Sequence, residues 1–347
     1  MSLFDSVREQ LRTQPKRWLV TGVAGFIGSN LLEQLLQLDQ RVLGLDNLST
    51  GHRRNLDEVQ AAVLAPQWSR FQFLEGDIRD AALCSKAGAG VDFVLHHAAL
   101  VSVPLSIAEP ATTRAINVQG TLNLLQSACD NGVGRFVYAT SSAVYGDEPG
   151  ESMSEEMIGR PLSPYAESKR TNELDALEFA RRHGLATVGL RYFNVFGPRQ
   201  DPNGAYAAVI PKWIHALLRN EPVQIFGDGE TTRDFCPIDN VVQANLLAAT
   251  APKPEALNHA YNIACGERTS LNQLFAMLRQ LLGRHNPAIA SREPEYCDFR
   301  PGDVRHSRAD ITRARQMLGY APEQTVSAGL ESALKWYLPL ANQRTGW

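Results

Sequence analysis

The chain has 347 residues, and 34 Lys and Arg stand against 37 Asp and Glu for a net charge of −3. Charge this near balance excludes a dedicated nucleic-acid or membrane surface, and no stretch approaches the roughly 18 apolar residues a membrane span needs. Hydrophobic residues at 44% and charged residues at 20% suit a soluble globular enzyme of one large domain or two modest ones.

Met1 to Lys16 is polar and charged and lacks the apolar core of a signal peptide, so it reads as a short amphipathic helix laid on the domain. The cysteines are Cys84, Cys129, Cys236, Cys265 and Cys297, scattered and without a C-x-x-C pair. That argues against zinc or a disulfide framework and fits a reducing cytoplasm. His96 and His97 are adjacent, so on a strand they point to opposite faces and cannot simply share a metal. No metal is expected.

Trp18 to Thr21 is apolar and runs into Gly22, Gly25 and Gly28 before an amphipathic stretch, Ser29 to Leu38. This predicts strand, tight turn and helix. One glycine serves the bend, one lets backbone approach a pyrophosphate, and one lets helix pack on strand. The helix N-terminus then offers free N–H groups and a positive dipole end. A second strand, Arg41 to Leu45, ends in Asp46, which can accept hydrogen bonds from a ribose diol and repels a 2′-phosphate. The expected cofactor is therefore NAD rather than NADP.

Asn47 to Gly51 is a turn-rich loop near the adenosine end. Phe71 to Leu74 predicts a third strand leading to Gly76, Asp77 and Ile78, where Asp77 could receive the adenine amino group. Val91 to Leu95 predicts a fourth, buried strand ending at His96, His97, Ala98 and Ala99, and small residues there let backbone pass close to a cofactor. Ala115 to Cys129 has helical periodicity, with Asn117 near its start placed to bond backbone groups at the bend. Phe136 to Thr140 predicts a fifth strand that delivers Ser141 and Ser142 at its carboxyl end, the ligand side of an open α/β sheet.

Alternating strands and helices predict an α/β fold with a doubly wound parallel sheet. From about Asn194 prolines and glycines break the rhythm. The expected division is an extension over 1–16, a dinucleotide-binding domain over 17–193 with 228–265 returning to it, and a smaller C-terminal substrate lobe from 194–227 and 266–347.

Ser163 and Pro164 make a helix start, after which Tyr165 and Lys169 are four apart and share a helix face. A free tyrosine titrates near 10, about three units above neutrality. A cation at about 4 Å and an effective dielectric near 20 supplies roughly the 4 kcal/mol needed to lower it. The expectation is that Lys169, with an oxidised nicotinamide, makes Tyr165 a base, and that Ser141 relays or stabilises the moving proton.

TGVAGFIG, DNLSTG, GDI, HHAA, Asn117, SSAVYG and YAESK together resemble the extended short-chain dehydrogenase/reductases over nearly the whole chain. LRYFNVFGPRQDP (Leu190 to Pro202), AVIPKW (Ala208 to Trp213), GDGETTRDF (Gly227 to Phe235) and RPGDVRHS (Arg300 to Ser307) are similar to the nucleotide-sugar 4-epimerases, most of all those acting on UDP-N-acetylglucosamine and UDP-N-acetylgalactosamine or their uronic acids. The resemblance implies that Tyr165 takes the proton of the sugar's 4-hydroxyl, that hydride passes between C4 and tightly held NAD, and that a 4-keto sugar turns over in the site. It implies NAD contacts at Gly22, Gly25, Phe26, Ile27, Gly28, Asp46, Asn47, Ser49, Thr50, Gly51, Asp77, Ile78, Ala98, Ala99, Asn117, Tyr165, Lys169 and Tyr192. It implies UDP-sugar contacts at Ser102, Ser141, Ser142, Tyr165, Asn194, Val209, Gln224, Arg233, Arg300, Asp303 and Ser307. Within these, Asn194 holds the diphosphate region, Arg233 and Arg300 grip the diphosphate, and Asp303 binds the uridine ribose. Ser307 leaves room for an N-acetyl group at C2.

The chain departs from the pattern at Val101 and Leu105, where close relatives carry glycine and arginine. Losing that arginine weakens the case for an acidic sugar, and Val101 is expected to crowd the pocket. Ser141-Ser142-Ala143 replaces three serines. A UDP-hexuronate or UDP-N-acetylhexosaminuronate 4-epimerase, or another sugar-nucleotide decarboxylase or dehydratase, is the alternative. A 4,6-dehydratase should carry a carboxylate beside Ser141, and a silent NAD-binding scaffold should lack Tyr165 or Lys169. A homodimer is expected through Gly120 to Cys129 and the helix after Pro164.

Overall fold

A computed structural model describes residues 2–147, 152–203, 207–299 and 304–342. Seven parallel strands form the central sheet. They are β1 (Arg17–Thr21), β2 (Arg41–Asp46), β3 (Phe71–Glu75), β4 (Phe93–His96), β5 (Arg135–Ser141), β6 (Thr187–Tyr192) and a seventh, His259–Ile263. From one edge the order is β3, β2, β1, β4, β5, β6, seventh strand. The chain leaves β1 toward one edge and returns at β4 to build toward the other. Between the carboxyl ends of β1 and β4 therefore lies the crevice where open α/β sheets bind ligands. The predicted α/β doubly wound sheet is what forms.

Strands buried on both faces need apolar cover on both. Leu31, Leu32, Leu35 and Leu36 of α2 (Phe26–Gln37) and the helix Ile238–Thr250 cover one face. The helices Ala81–Gly88, Gly120–Asp130 and Pro164–His183 cover the other. The extension forms α1 (Leu3–Thr13), begun by a capping box between Ser2 and Asp5, with Phe4, Val7 and Leu11 buried. Gln40 secures its exit: its amide donates to the main-chain oxygens of Leu11 and Leu38 and accepts from the Trp18 indole at 3.1 Å.

A second apolar cluster is built by the helices Val209–Leu218, Leu271–Gly283 and Val326–Asn342, with Trp213 and Phe275 edge to face at 6.2 Å. Short strand pairs stitch it to the sheet. Val195–Phe196 pairs with Cys236–Pro237, Thr232–Arg233 with Thr269–Ser270, and Gln224–Phe226 with Glu295–Cys297.

The sequence reading passed over β6. All six of its residues are buried, but Arg191 interrupts the apolar run that would mark a buried strand. The helix expected over 115–129 opens with a π-turn, Ala115–Gln119, before Gly120–Asp130. Among the described residues no helix is long and apolar enough to cross a membrane, and no His, Cys, Asp and Glu cluster could hold a metal.

Candidate active site

The glycine turn closes β1 onto α2. Gly22 has φ +69°, and a Cβ there would stand 2.8 Å from the Ala98 nitrogen, so the loops after β1 and β4 touch. A Cβ on Gly28 would lie 2.0 Å from the Gly22 oxygen, so only glycine lets α2 seat on the turn. Gly25 differs. A Cβ there would meet the Gly22 oxygen at 3.2 Å and nothing else within 4 Å. It is the N-cap of α2 and carries no side-chain cap, so no capping side chain occupies the N–H groups of the first turn. Open backbone before an uncapped helix N-terminus is what a pyrophosphate requires.

Asp46 at the end of β2 is buried, and burial raises its carboxyl, eased by bonds from the Leu48 and Ala24 nitrogens at 2.8 and 2.9 Å. The loop Ser49 to Gly51 folds back on it: a Cβ on Gly51 would sit 3.0 Å from Asp46 Oδ2. Asn47 donates to Asp77 at 2.8 Å, and Arg79 holds Asp77 well below the usual carboxylate range. The Ile78 side chain packs on Gly120. The Thr21 hydroxyl accepts from the nitrogens of His97 and Ala98, fixing the strand of small residues that continues to Ala99. These residues fit NAD: Asp46 and Asn47 would hold its adenosine end, and the bound cofactor would supply the hydride acceptor.

Two further positions brace that surface through their hydrogen bonds. Asn117 is 1% exposed; its amide donates to Leu100 O and Ser168 Oγ, and its oxygen accepts from Leu100 N at 2.8 Å. The expected bond to backbone at a bend is present, and through it Asn117 shapes the loop after β4. The Tyr192 hydroxyl is likewise held by His97 Nε2 and Asn245 Nδ2, both at 2.9 Å.

The helix Pro164–His183 presents the chemical group. Ser163 caps it through the Ala166 nitrogen at 3.1 Å. Tyr165 and Lys169 share its buried face, with the Lys169 ammonium 6.0 Å from the Tyr165 ring centre. Lys169 also donates at 2.9 Å to the Ala139 oxygen. The Ser141 hydroxyl caps the turn Ser142–Tyr145 through Ala143 N and shares a hydrogen bond with the Tyr165 phenol. The expectation pairs Lys169 with an oxidised nicotinamide, and the protein's own share of that pair does not depress the phenol. Burial pushes Tyr165 above its ordinary value, with only the Ser141 bond opposing. Burial also pulls Lys169 down to about 8. A cation lowers a neighbour only as far as its own charge survives desolvation.

Beside this cluster lies a cavity of about 890 Å³, lined among others by Asn194, Val209, Gln224, Phe226 and Arg233, with Pro104 at its wall. Four of the predicted substrate residues therefore converge. Asn194 sits at φ +34° and donates to the Asp234 oxygen at 3.0 Å. Arg233 donates through one Nη to the main-chain oxygens of Thr232 and Val304. Ser307 is buried alongside, its nitrogen bonded to Thr232 O at 3.2 Å, but it is not part of the cavity wall. The Ser102 hydroxyl caps the helix Val103–Ala108, accepting from Leu105 N at 3.2 Å. Val101 is corrected, since at 65% exposed it stands out from the surface instead of crowding a pocket. Arg300 and Asp303 lie outside the described residues.

Sequence reasoning missed three supports. Ser106 is fully buried and accepts from the Tyr165 nitrogen at 3.1 Å, tying the helix of Pro104 to the helix of the base. Glu173, one turn beyond Lys169, pairs with Arg191 at 2.8 Å. Asp234 bonds three backbone nitrogens. A charged residue in a buried strand was the one available signal, at Arg191.

The fold, the glycine turn and the Ser-Tyr-Lys cluster define an NAD-dependent enzyme. The chain belongs to the NAD dependent epimerase/dehydratase family, whose model matches residues 18–264. It is 36% identical to the UDP-glucose 4-epimerase of Mycolicibacterium smegmatis over 323 residues, 92% of this chain and 98% of that one. Among solved structures, the UDP-N-acetylglucosamine 4-epimerase of Methanobrevibacter ruminantium M1, in complex with UDP-N-acetylmuramic acid, superposes with a TM-score of 0.85 at 37% identity, covering 94% of this chain and 99% of that one. The UDP-glucuronic acid 4-epimerase of Bacillus cereus, in complex with a fluorinated UDP-glucuronic acid and NAD, gives 0.81 at 30% identity, with 93% and 99% covered.

Proposed function

We propose that this chain interconverts UDP-N-acetylglucosamine and UDP-N-acetylgalactosamine. At the coarser level it is an NAD-dependent UDP-sugar 4-epimerase, like the full-length relatives named above. The observation that carries the reading is the junction of cavity and base. Pro104 lines the 890 Å³ cavity, and two residues on Ser106 binds the backbone of Tyr165. The volume suits a nucleotide sugar.

Bound NAD supplies the hydride acceptor and donor at the sugar's C4. The chain's own residues do the rest. Tyr165 exchanges a proton with the 4-hydroxyl, and Ser141 steadies the phenol oxygen through their shared bond. Lys169 keeps a positive charge one helical turn away while its amine is anchored on Ala139. Asn194 and Arg233 orient the diphosphate.

The N-acetylated sugar is favoured by the small side chain of Ser307 and by Leu105, which leaves no arginine to pair a uronate. Purified protein is incubated with UDP-N-acetylglucosamine, UDP-glucose and UDP-N-acetylglucosaminuronate, and the 4-epimers are resolved by NMR. Preferred turnover of the first supports the reading; preference for the uronate, or release of CO₂, overturns it. A homodimer through Gly120–Asp130 and Pro164–His183 belongs to the same proposal, and light scattering near twice 38.2 kDa supports it.

A further inference from the structure

We propose that Asp234 is a positioning residue for the nucleotide-sugar pocket, whose carboxylate fastens the pocket-lining segments of Asn194 and Arg233 to the segments packed behind them. This rests on the UDP-sugar reading above. Asp234 follows Arg233 and is fully buried. Its Oδ1 accepts from Cys265 N at 3.0 Å, and its Oδ2 accepts from Gly266 N and Ala309 N, both at 3.1 Å. Its main-chain oxygen accepts from Asn194 Nδ2 at 3.0 Å. One residue thus joins the end of the seventh strand, the stretch 304–309 that carries Ser307, and the turn after β6 that carries Asn194.

The far end of that stretch is also tied by Met153 N, which donates to Arg308 O at 2.8 Å. Toward the pocket its ties run to Thr232, the neighbour of Arg233. Thr232 N donates to Arg305 O at 3.0 Å, Ser307 N donates to Thr232 O at 3.2 Å, and the Thr232 hydroxyl pairs with His306 Nδ1 at 3.0 Å. Arg233 Nη1 reaches Val304 O at 2.7 Å. Residues 304–309 therefore lie along the strand Thr232–Arg233, and Asp234 locks that alignment to the sheet. A carboxylate suits the place because it is acceptor-only and several backbone N–H groups converge on it. An amide of the same shape would aim donors at donors, and a buried donor without an acceptor is costly. The predicted consequence is a displaced pocket edge with the base and the NAD cradle intact.

The test is Asp234→Asn in the full chain, with UDP binding by calorimetry, NAD content by absorbance, and steady-state kinetics on the preferred UDP-sugar. The expected result is a UDP Kd and a KM each raised about tenfold or more, kcat within about threefold, and NAD content unchanged. A kcat loss at constant KM overturns the inference, as does unchanged UDP binding in a variant whose wild type binds UDP. A wild type that binds no UDP overturns the nucleotide-sugar reading and this inference with it. Should Asp234→Asn fail to fold, Thr232→Val decides, because it loosens the same stretch from a less buried position. A UDP Kd raised about two- to fivefold supports the inference, and an unchanged Kd overturns it.

Discussion

The Lys169 ammonium stands 6.0 Å from the centre of the Tyr165 ring and is anchored at 2.9 Å on the main-chain oxygen of Ala139. The lysine is thus held by β5, the strand that ends in Ser141, so base, cation and relay share one frame. In that frame burial raises the phenol, so the protein alone does not make Tyr165 a strong base. An oxidised nicotinamide bound beside the phenol would supply further positive charge toward that basicity. Tyr165→Phe keeps the ring and removes the proton acceptor. We expect kcat to fall about 10³-fold or more, with NAD content unchanged. Turnover within tenfold of wild type would place the base elsewhere.

Lys169 gives a pH-dependent stability signature. Its folded pKa is about 8, below the ordinary 10.5, because burial penalises its charge. At pH 7 the amine is charged in both states, and the folded state carries the whole penalty, about 3 kcal/mol. Between pH 8 and 10.5 the folded protein releases its proton first while the unfolded chain keeps its own. The unfolded state then binds more protons, so wild-type stability rises with pH across that window. Lys169→Met removes the penalty at every pH. NAD-free Lys169→Met should melt above wild type at pH 7 and lose that advantage toward pH 10.5, while being catalytically impaired. A difference in Tm that stays constant over this range would contradict the assignment.

The glycine turn, Asp46, Ser141 and the Tyr165–Lys169 spacing were legible because each is local. A bend, a strand end or one helical turn fixes which residues meet. The bond of Asn117 to backbone at the bend, at Leu100 N, was legible as well, whereas the Ser102 cap on Leu105 N was not, because no side-chain pattern announces that backbone partner. Ser106, Asp234 and Glu173 were invisible for the opposite reason. Ser106 meets Tyr165 across 59 positions, and Asp234 meets Ala309 across 75. Such pairs are set by how loops pack at the carboxyl edge of the sheet. The depression of Lys169 was missed because it depends on burial, and spacing conveys only proximity.

Two glycines separate cofactor binding from folding. A Cβ on Gly28 would lie 2.0 Å from the Gly22 oxygen and 2.7 Å from the Gly22 carbon, so α2 must move. Gly28→Ala should destabilise the fold and abolish NAD binding together. A Cβ on Gly25 meets only the Gly22 oxygen at 3.2 Å, so the fold has room, but the methyl would intrude where a pyrophosphate approaches. Gly25→Ala should keep its far-UV circular dichroism and a melting temperature within a few degrees of NAD-free wild type, while retaining little or no NAD. Full NAD content in Gly25→Ala would mean that the dinucleotide does not pass over this turn.

The buried ion pair behind the catalytic helix makes the last prediction. Arg191 on β6 binds Glu173 in two parallel bonds of 2.8 Å, and Glu173 also accepts from the Thr140 hydroxyl at 2.9 Å and from Arg170 at 2.8 Å. Arg191 donates as well to the Tyr145 hydroxyl at 3.1 Å and the Glu155 oxygen at 2.8 Å. The network therefore joins the helix of Tyr165 to β5, β6 and the turn after Ser141. Removing one partner strands a charge where water does not reach, which costs about 3–5 kcal/mol. Arg191→Met should lose stability on that scale in chemical denaturation. Pairing it with Glu173→Leu removes both charges and should recover most of the loss, because apolar groups of similar volume tolerate the same site. Recovery of stability without recovery of kcat would assign the pair to aligning the base. A cost below about 1 kcal/mol for Arg191→Met alone would show that Arg170 and Thr140 suffice to satisfy Glu173.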